Sequence, residues 1–418
     1  DRACTTVLQG VLDPMRRTLL CWLCVVLGLL WVFSDKKPET PVAPVPVTAL
    51  EDPWPLDLLR HLGPLPPLPA DPTNSVADNP AAAHYGQWLF FDKRLSGDGE
   101  ISCATCHDPE HGFADTRPIA LGKALGERHA PTVIGAAYQR WLGWGGRADS
   151  LWMQALGPME NEVEMAGDRQ EIAHLVRSDP LLRQAHEEVY GEVPKDVDTL
   201  FAQLGKAIAA YERLLIQKDS PFDLWVRSIL DLPGGDPTAL NEEQQRGLRI
   251  FLGPGRCTLC HLGPTLSDLE FHNNQLPTHP DGPRDDAGRY QGARLVQESP
   301  FNAAGPYSDA PEGEAAERVR ALVQSSESYG EFRTPTLRNL ARRAPYGHQG
   351  QFPDLGSVLR LYNTLEDQDL RSHHQEQLLQ PLRLDNAALG ALEAFLLALE
   401  GRDLPGHLVQ APVAPIRD

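Results

Sequence analysis

The chain has 418 residues, enough for two or three domains of ordinary size. Its hydrophobic content of 41% is that of a globular protein, and its formal net charge of −19 argues against nucleic acid as a partner. An acidic surface suits a basic redox partner. Seven cysteines are present: Cys4, Cys21 and Cys24 near the N-terminus, then two closely spaced pairs.

Met15-Arg16-Arg17 precedes an apolar run from Leu19 to Phe33, which reads as an export leader starting at Met15. Residues 1–34 are therefore expected to be a leader, with 1–14 an upstream extension. The run has 15 residues, short for a bilayer span of roughly 20. No small-residue cleavage site is evident, so an uncleaved membrane anchor is the alternative reading. Residues 35–73 are rich in proline and are predicted to be an extended linker without a core of its own.

The first folded region is expected over 74–235. It should contain a helix over 81–91 and an amphipathic helix over 199–217, carried by Leu200, Leu204, Ala207, Ile208, Tyr211 and Leu215. Leu232-Pro233-Gly234-Gly235-Asp236-Pro237 marks a boundary. The second region, 236–400, should open with a capped helix at Asn241-Glu242-Glu243, pass through a mainly loop segment over 276–331 and close with a helix over 386–399. The tail, 401–418, is expected to fray. Strand patterns are scarce, so the fold should be mainly α.

Cys103-Ala104-Thr105-Cys106-His107 recurs as Cys257-Thr258-Leu259-Cys260-His261, 154 residues later. C-x-x-C-H is the pattern for attaching c-type haem. Two thiols one short turn apart can both add to one porphyrin edge, and the adjoining His then ligates the iron. A four-cysteine zinc site is the rival reading, but it leaves both histidines unexplained. Each motif follows a predicted helix and precedes a loop, which suggests two cytochrome c-like haem domains packed together, with long loops. Haem attachment of this kind implies export to an oxidising compartment, for which a bacterial periplasm fits.

Further landmarks carry a family likeness. They are Trp88-Leu89-Phe90-Phe91-Asp92-Lys93-Arg94-Leu95-Ser96, Ala130-Pro131-Thr132, Trp144-Gly145-Gly146-Arg147-Ala148-Asp149-Ser150-Leu151, Gln154-Ala155-Leu156-Gly157-Pro158, Val163-Glu164-Met165, Phe332-Arg333-Thr334-Pro335-Thr336-Leu337-Arg338-Asn339 and Ala344-Pro345-Tyr346-Gly347-His348. In this order, over about residues 75–400, the chain resembles the dihaem cytochrome c peroxidase and MauG family.

The resemblance implies a peroxidase that reduces hydrogen peroxide at a first haem held by Cys103, Cys106 and His107. Electrons would arrive through a second haem held by Cys257, Cys260 and His261. It places Glu164 as proton carrier, Gln154 as its positioning partner and Trp144 as relay between the haems. Arg147 is expected to pair with haem carboxylates. In the cytochrome-oxidising branch, the second haem takes a Met fourteen residues after the last His of the Pro-Tyr-x-His motif; that position here is Tyr362, as in MauG-like members. A phenolate is a hard anionic donor that favours ferric iron. That branch also has a His sixteen residues after the first proximal His; the matching residue is Lys123, which implies an open first iron, with His111 and His129 as alternative ligands. The resemblance also implies a calcium held by one Asn side chain and two backbone carbonyls; the Asn position falls on His129 and the carbonyl positions on Arg343 and Pro345, and the His129 nitrogen is poorly matched to calcium. The expected partners are peroxide and a redox protein: a small cytochrome, a copper protein or a protein substrate to be modified.

Overall fold

The computed structural model describes residues 53–369, 376 and 378–412, all within one compact unit. The expected leader and residues 35–52 of the linker lie outside the described residues. Among the described residues there are thirteen α-helices and two short strands, so the protein is mainly α as the sequence patterns predict. The strands β1 (Phe271–His272) and β2 (Phe332–Arg333) pair antiparallel, with Phe271 opposite Arg333.

Two apolar cores organise the unit. The first is built around α2 (Pro80–Phe91), α4 (Leu151–Glu160) and α7 (Val197–Glu212), with α5 (Arg169–Ser178) and α6 (Pro180–Tyr190) outside them. Asn79 caps α2 by accepting from the Ala81 amide, and Pro80 follows at a position where its missing N–H costs nothing. Helices α2 and α7 cross at Gly86, where a Cβ would overlap the Ala207 carbonyl. Only glycine permits that approach.

The second core repeats the device. Helix α9 (Glu242–Leu252), which opens with an Asn241/Gln244 capping box, crosses α13 (Asn386–Leu397) at Gly247, where a Cβ would overlap the Ala391 carbonyl. Leu248, Phe251, Leu392 and Phe395 fill the space between them, and α12 (Leu355–Thr364) adds Leu355 and Leu359. In both cores the helix pair stands just behind one C-x-x-C-H motif.

Several expectations are corrected. The linker prediction fails from α1 (Leu56–Leu62) onward: Leu59 and Leu62 are wholly buried in the second core, which also takes Phe222, Trp225 and Val226 from α8 (Pro221–Ile229). Proline-rich composition hid a seven-residue helix whose apolar face finds a partner far along the chain. Arg338 secures this end, 3.0 Å from Asp223 and donating to the Leu62 carbonyl, with both charged side chains at least 95% buried. Such a pair sets register more than it adds net stability. The segment read as mainly loop contains α10 (Gly288–Glu298) and α11 (Glu314–Arg320), whose Val296 and Val319 pack on the first core. The tail is not frayed up to residue 412. Leu408 is buried in the first core, and Gln87 donates to the carbonyls of His407 and Gln410. The predicted helix over 199–217 ends at Glu212, because the chain turns there and Leu215 packs back as loop.

Candidate active site

The two cysteine motifs are presented alike. The first is a single helical turn, α3 (Cys103–Cys106), and the second a 3-10 turn (Cys257–Leu259). His107 Nδ1 lies 3.3 Å from the Phe113 carbonyl and His261 Nδ1 lies 2.8 Å from the Leu266 carbonyl. A carbonyl accepts only from an N–H, so each imidazole is held with its proton on Nδ1 and its lone pair on Nε2, the arrangement an iron ligand needs. Burial lowers both imidazole pKa values and keeps the rings neutral. Burial also pushes the thiols up, Cys103 and Cys257 to about 12 and Cys106 to about 11.

The zinc alternative fails on geometry. Among the described residues, the one group of three or more His, Cys, Asp or Glu ligand atoms within 4.8 Å of one another is Cys260, Asp268 and His272. The four cysteines do not converge. His272 is itself held between Asp268 at 2.8 Å and Glu376 at 2.7 Å, and its pKa is pushed up to about 11, first by its hydrogen bond to Asp268.

Both motifs face one continuous cavity of about 1260 Å³. That exceeds the ~300–1,000 Å³ of a usual small-ligand pocket. Its wall carries two buried guanidinium groups with unsatisfied donors: Arg333 Nη1 donates to Gln139 Oε1 at 2.8 Å, but Arg333 Nε, and Nε and Nη2 of Arg343, have no hydrogen-bond partner. Burial lowers both arginines to about 10. Unpaired buried donors are costly, and a guanidinium forks onto carboxylates. The paired histidine lone pairs, the volume and the orphaned guanidinium donors all fit two large anionic macrocycles such as haem.

The first motif is bordered by α4 and the loop after it. Ser150 caps α4 and places Gln154 on the cavity wall one turn on. After Asn161 the chain folds back, with the Met165 amide donating to the Pro158 carbonyl and the Lys123 amide to that of Glu164. This turn points Glu164 into the cavity, close enough for its charge to act on Cys103, Cys106 and His107. Arg147, expected on a haem carboxylate, instead forks onto Glu164 at 2.9 and 3.3 Å, and Asn161 Nδ2 donates to the same carboxylate at 2.9 Å. Lys123 is turned away to Asp98, and His111 pairs with Asp108 at 2.7 Å with half its side chain exposed. Neither lines the cavity. His129 does, with Nδ1 fixed 3.0 Å from the Arg117 carbonyl.

Trp144 is buried in the cavity wall and donates its indole N–H to the His129 carbonyl at 2.9 Å. Its ring meets His348 edge-on at 6.4 Å, and His348 stacks on Phe332 at 3.8 Å. Tyr362, on α12, belongs to the second motif. The thiols of Cys260 and Cys257 contribute to its raised pKa of about 12, after burial, and Asn274 Nδ2 donates to its oxygen at 3.1 Å. The calcium position stays poorly matched at its one side-chain ligand. Calcium takes about 6–8 oxygen ligands. His129 offers nitrogen there, and the Arg343 and Pro345 positions would contribute only backbone carbonyls.

Glu212 was not singled out from the sequence. It is 2% exposed, lines the cavity beside Cys103 and has one carboxylate oxygen without a partner. Burial pushes its pKa up to about 8. The available signal was its place on α7 four residues after Ile208, an acid on the apolar face. Arg333 and Arg343 gave no local signal, since each becomes unusual only through burial.

The family model described as di-haem cytochrome c peroxidase matches residues 80–229. The chain is 34% identical to cytochrome-c peroxidase IdrP1 of Denitromonas iodatirespirans, over 72% of this chain and 77% of that protein. It is 30% identical to the methylamine utilization protein MauG of Paracoccus denitrificans, over 77% of this chain and 89% of that protein. Its fold matches the crystal structure of a MauG-like protein associated with microbial copper homeostasis, with a TM-score of 0.65, 25% identity, and coverage of 83% of this chain and 98% of the other. Two C-x-x-C-H turns facing one cavity, and these relatives over most of the chain, place the protein in the dihaem cytochrome c peroxidase and MauG family as a peroxidase of two haems.

Proposed function

We propose that this peroxidase is MauG-like, cleaving peroxide beside Glu164 and drawing electrons through a second haem whose ligands are His261 and Tyr362. The single observation that carries the reading is the division of the cavity wall. The carboxylate of Glu164 acts on the first cysteine motif, and the phenol of Tyr362 feels the second. Cys103 and Cys106 would hold the first haem covalently, with His107 beneath it, and Cys257 and Cys260 the second.

Haem, when bound, supplies the iron that takes peroxide and stores its oxidising equivalents. The rest falls to the chain. Reduction of H₂O₂ to two waters consumes two protons and two electrons. Glu164 moves a proton from one peroxide oxygen to the other, which is general acid–base work. Arg147 and Asn161 hold that carboxylate at a fixed angle. Gln154, from the neighbouring turn of α4, orients the bound peroxide. Trp144 passes an electron between the two sites. Its indole N–H meets a carbonyl and not a base, so the ring keeps its proton when oxidised. The free donors of Arg333 and Arg343 would receive haem carboxylates, a role first expected of Arg147.

Tyr362 separates this branch from enzymes that oxidise a small cytochrome. A phenolate from Tyr362 would favour the ferric form of a second iron, where a thioether would favour the reduced one. Covalent haem attachment supports a periplasmic setting. No helix among the described residues is long and apolar enough to cross a membrane. The donor would be a redox protein or a protein substrate to be modified. Adding stoichiometric peroxide to the ferric protein and recording the near-infrared spectrum tests the reading. A charge-resonance band shared by two oxidised haems is expected. Rapid oxidation of an added small cytochrome without that band would assign the other branch.

A further inference from the structure

One wall of the cavity reaches the surface through a pair of tyrosines that the peroxide chemistry does not use. Tyr329 is 37% exposed, lines the cavity and donates its phenolic O–H to Asp285 at 2.7 Å. Its ring lies 5.9 Å from that of Tyr290, which also lines the cavity. Tyr290 sits on α10, and α10 is pressed against the loop that carries Trp144. A Cβ at Gly292 would overlap the Gly145 carbonyl, Arg289 Nη1 donates to the Gly146 carbonyl at 2.9 Å, and the Arg333 amide donates to the Trp144 carbonyl at 2.8 Å. Contacts therefore run without a gap from the Trp144 loop, through α10, to a phenol at the surface.

The hydrogen bond decides what that phenol can do. Oxidising an isolated tyrosine creates a strongly acidic radical cation, which is unfavourable unless the proton leaves at the same time. Trp144 has a carbonyl as its partner and Tyr211 donates to the Leu408 carbonyl, and neither acceptor takes a proton. Tyr329 faces a carboxylate, which does.

We propose that Tyr329 is a redox-active surface residue at which phenolic electron donors are oxidised, with Asp285 as its proton acceptor and Tyr290 as its link inward. The inference rests on the peroxidase activity, which supplies the oxidant. In each turn the Tyr329 O–H bond breaks. Its electron moves inward to replace one taken by peroxide, and its proton goes to Asp285, leaving a neutral phenoxyl radical. A phenol at the surface then gives a hydrogen atom to that radical, restoring Tyr329, and Asp285 releases its proton to water. Each turn converts one phenol to a phenoxyl radical with loss of one proton and one electron, and two turns balance one peroxide.

The test uses the full haem-loaded protein, with guaiacol as the probe, beside Tyr329→Phe and Asp285→Asn. Freeze-quenching after peroxide addition should show a tyrosyl signal by electron paramagnetic resonance in the parent, lost in Tyr329→Phe and weakened in Asp285→Asn. Guaiacol turnover should fall on the order of tenfold or more in Tyr329→Phe, the scale of removing one essential transfer group. The first spectral change on adding peroxide should keep its rate, which separates this idea from the haem chemistry beneath it. Guaiacol oxidised at the parent rate by Tyr329→Phe, or an unchanged tyrosyl signal, overturns the proposal.

Discussion

Arg147 and Glu164 form a two-pronged ion pair, Nη1 to Oε1 at 2.9 Å and Nη2 to Oε2 at 3.3 Å, in the wall of the cavity beside the first cysteine motif. Both side chains keep about a third of their surface exposed, so the pair adds little net stability. Its consequence is orientation. A carboxylate gripped by a guanidinium and by Asn161 has one direction left for a proton. Replacing Glu164 by Gln should leave both haems bound and slow peroxide cleavage by roughly 10²–10⁴, measured by stopped-flow absorbance. An unchanged rate would remove Glu164 from the chemistry. Arg147→Lys should give a smaller loss, since an ammonium cannot fork.

Tyr362→Phe removes the phenol oxygen and leaves the ring on α12. The visible and near-infrared spectrum of the second haem should change while that of the first stays. Asn274 would lose the acceptor of its amide hydrogen bond, a cost of about 1 kcal/mol in denaturant unfolding. An unaltered spectrum would assign the second haem another ligand.

Trp144→Phe keeps an aromatic ring and loses the N–H that reaches the His129 carbonyl. The first reaction with peroxide should survive. Sharing of the oxidation with the second haem should slow, seen as delayed appearance of the near-infrared band. Equal kinetics for that band would place the relay elsewhere in the wall.

Glu212 gives a pH dependence with a definite sign. Its carboxyl is raised from 4.5 to about 8 by burial, so the folded protein binds a proton that the unfolded chain releases. Stability from this group is complete below about pH 4.5 and is lost as pH rises towards 8. Glu212→Gln should therefore flatten the decline in melting temperature across that window. A parallel decline in both proteins would mean the carboxyl is not protonated when folded.

A chelator provides the metal test. His129 stands at the one side-chain position where the family likeness would put a calcium ligand, and it offers nitrogen in place of oxygen. Dialysis against EDTA should leave peroxide turnover and both haem spectra unaltered. Activity lost on chelation and regained with calcium would show an oxygen-ligand site elsewhere.

Several features needed no tertiary information. The two C-x-x-C-H turns follow from covalent spacing, since two thiols and an imidazole within five residues must act together wherever the chain places them. Helix α2 was legible over 81–91 and the capped start of α9 from Asn241, because caps and apolar runs are local. Glu164, Trp144 and Tyr362 were reached through family likeness, and the fold brings all three to the cavity wall.

Other features exist only once the chain is packed. Nothing within a few residues of Leu59 tells that α1 will close the second core, because its partners lie some 160 residues and more away, at Phe222, Trp225 and beyond. Glu212, Arg333 and Arg343 are ordinary charged residues in the sequence. They become a neutral acid and two cations with unsatisfied donors because burial removes the water that would otherwise solvate them. Arg147 could have turned to a haem carboxylate or to Glu164, and the fold of the loop after α4 chose Glu164. Local spacing determined which groups can attach a cofactor. Desolvation and long-range contact, which no short stretch of sequence contains, decided which side chains surround it and in what charge state.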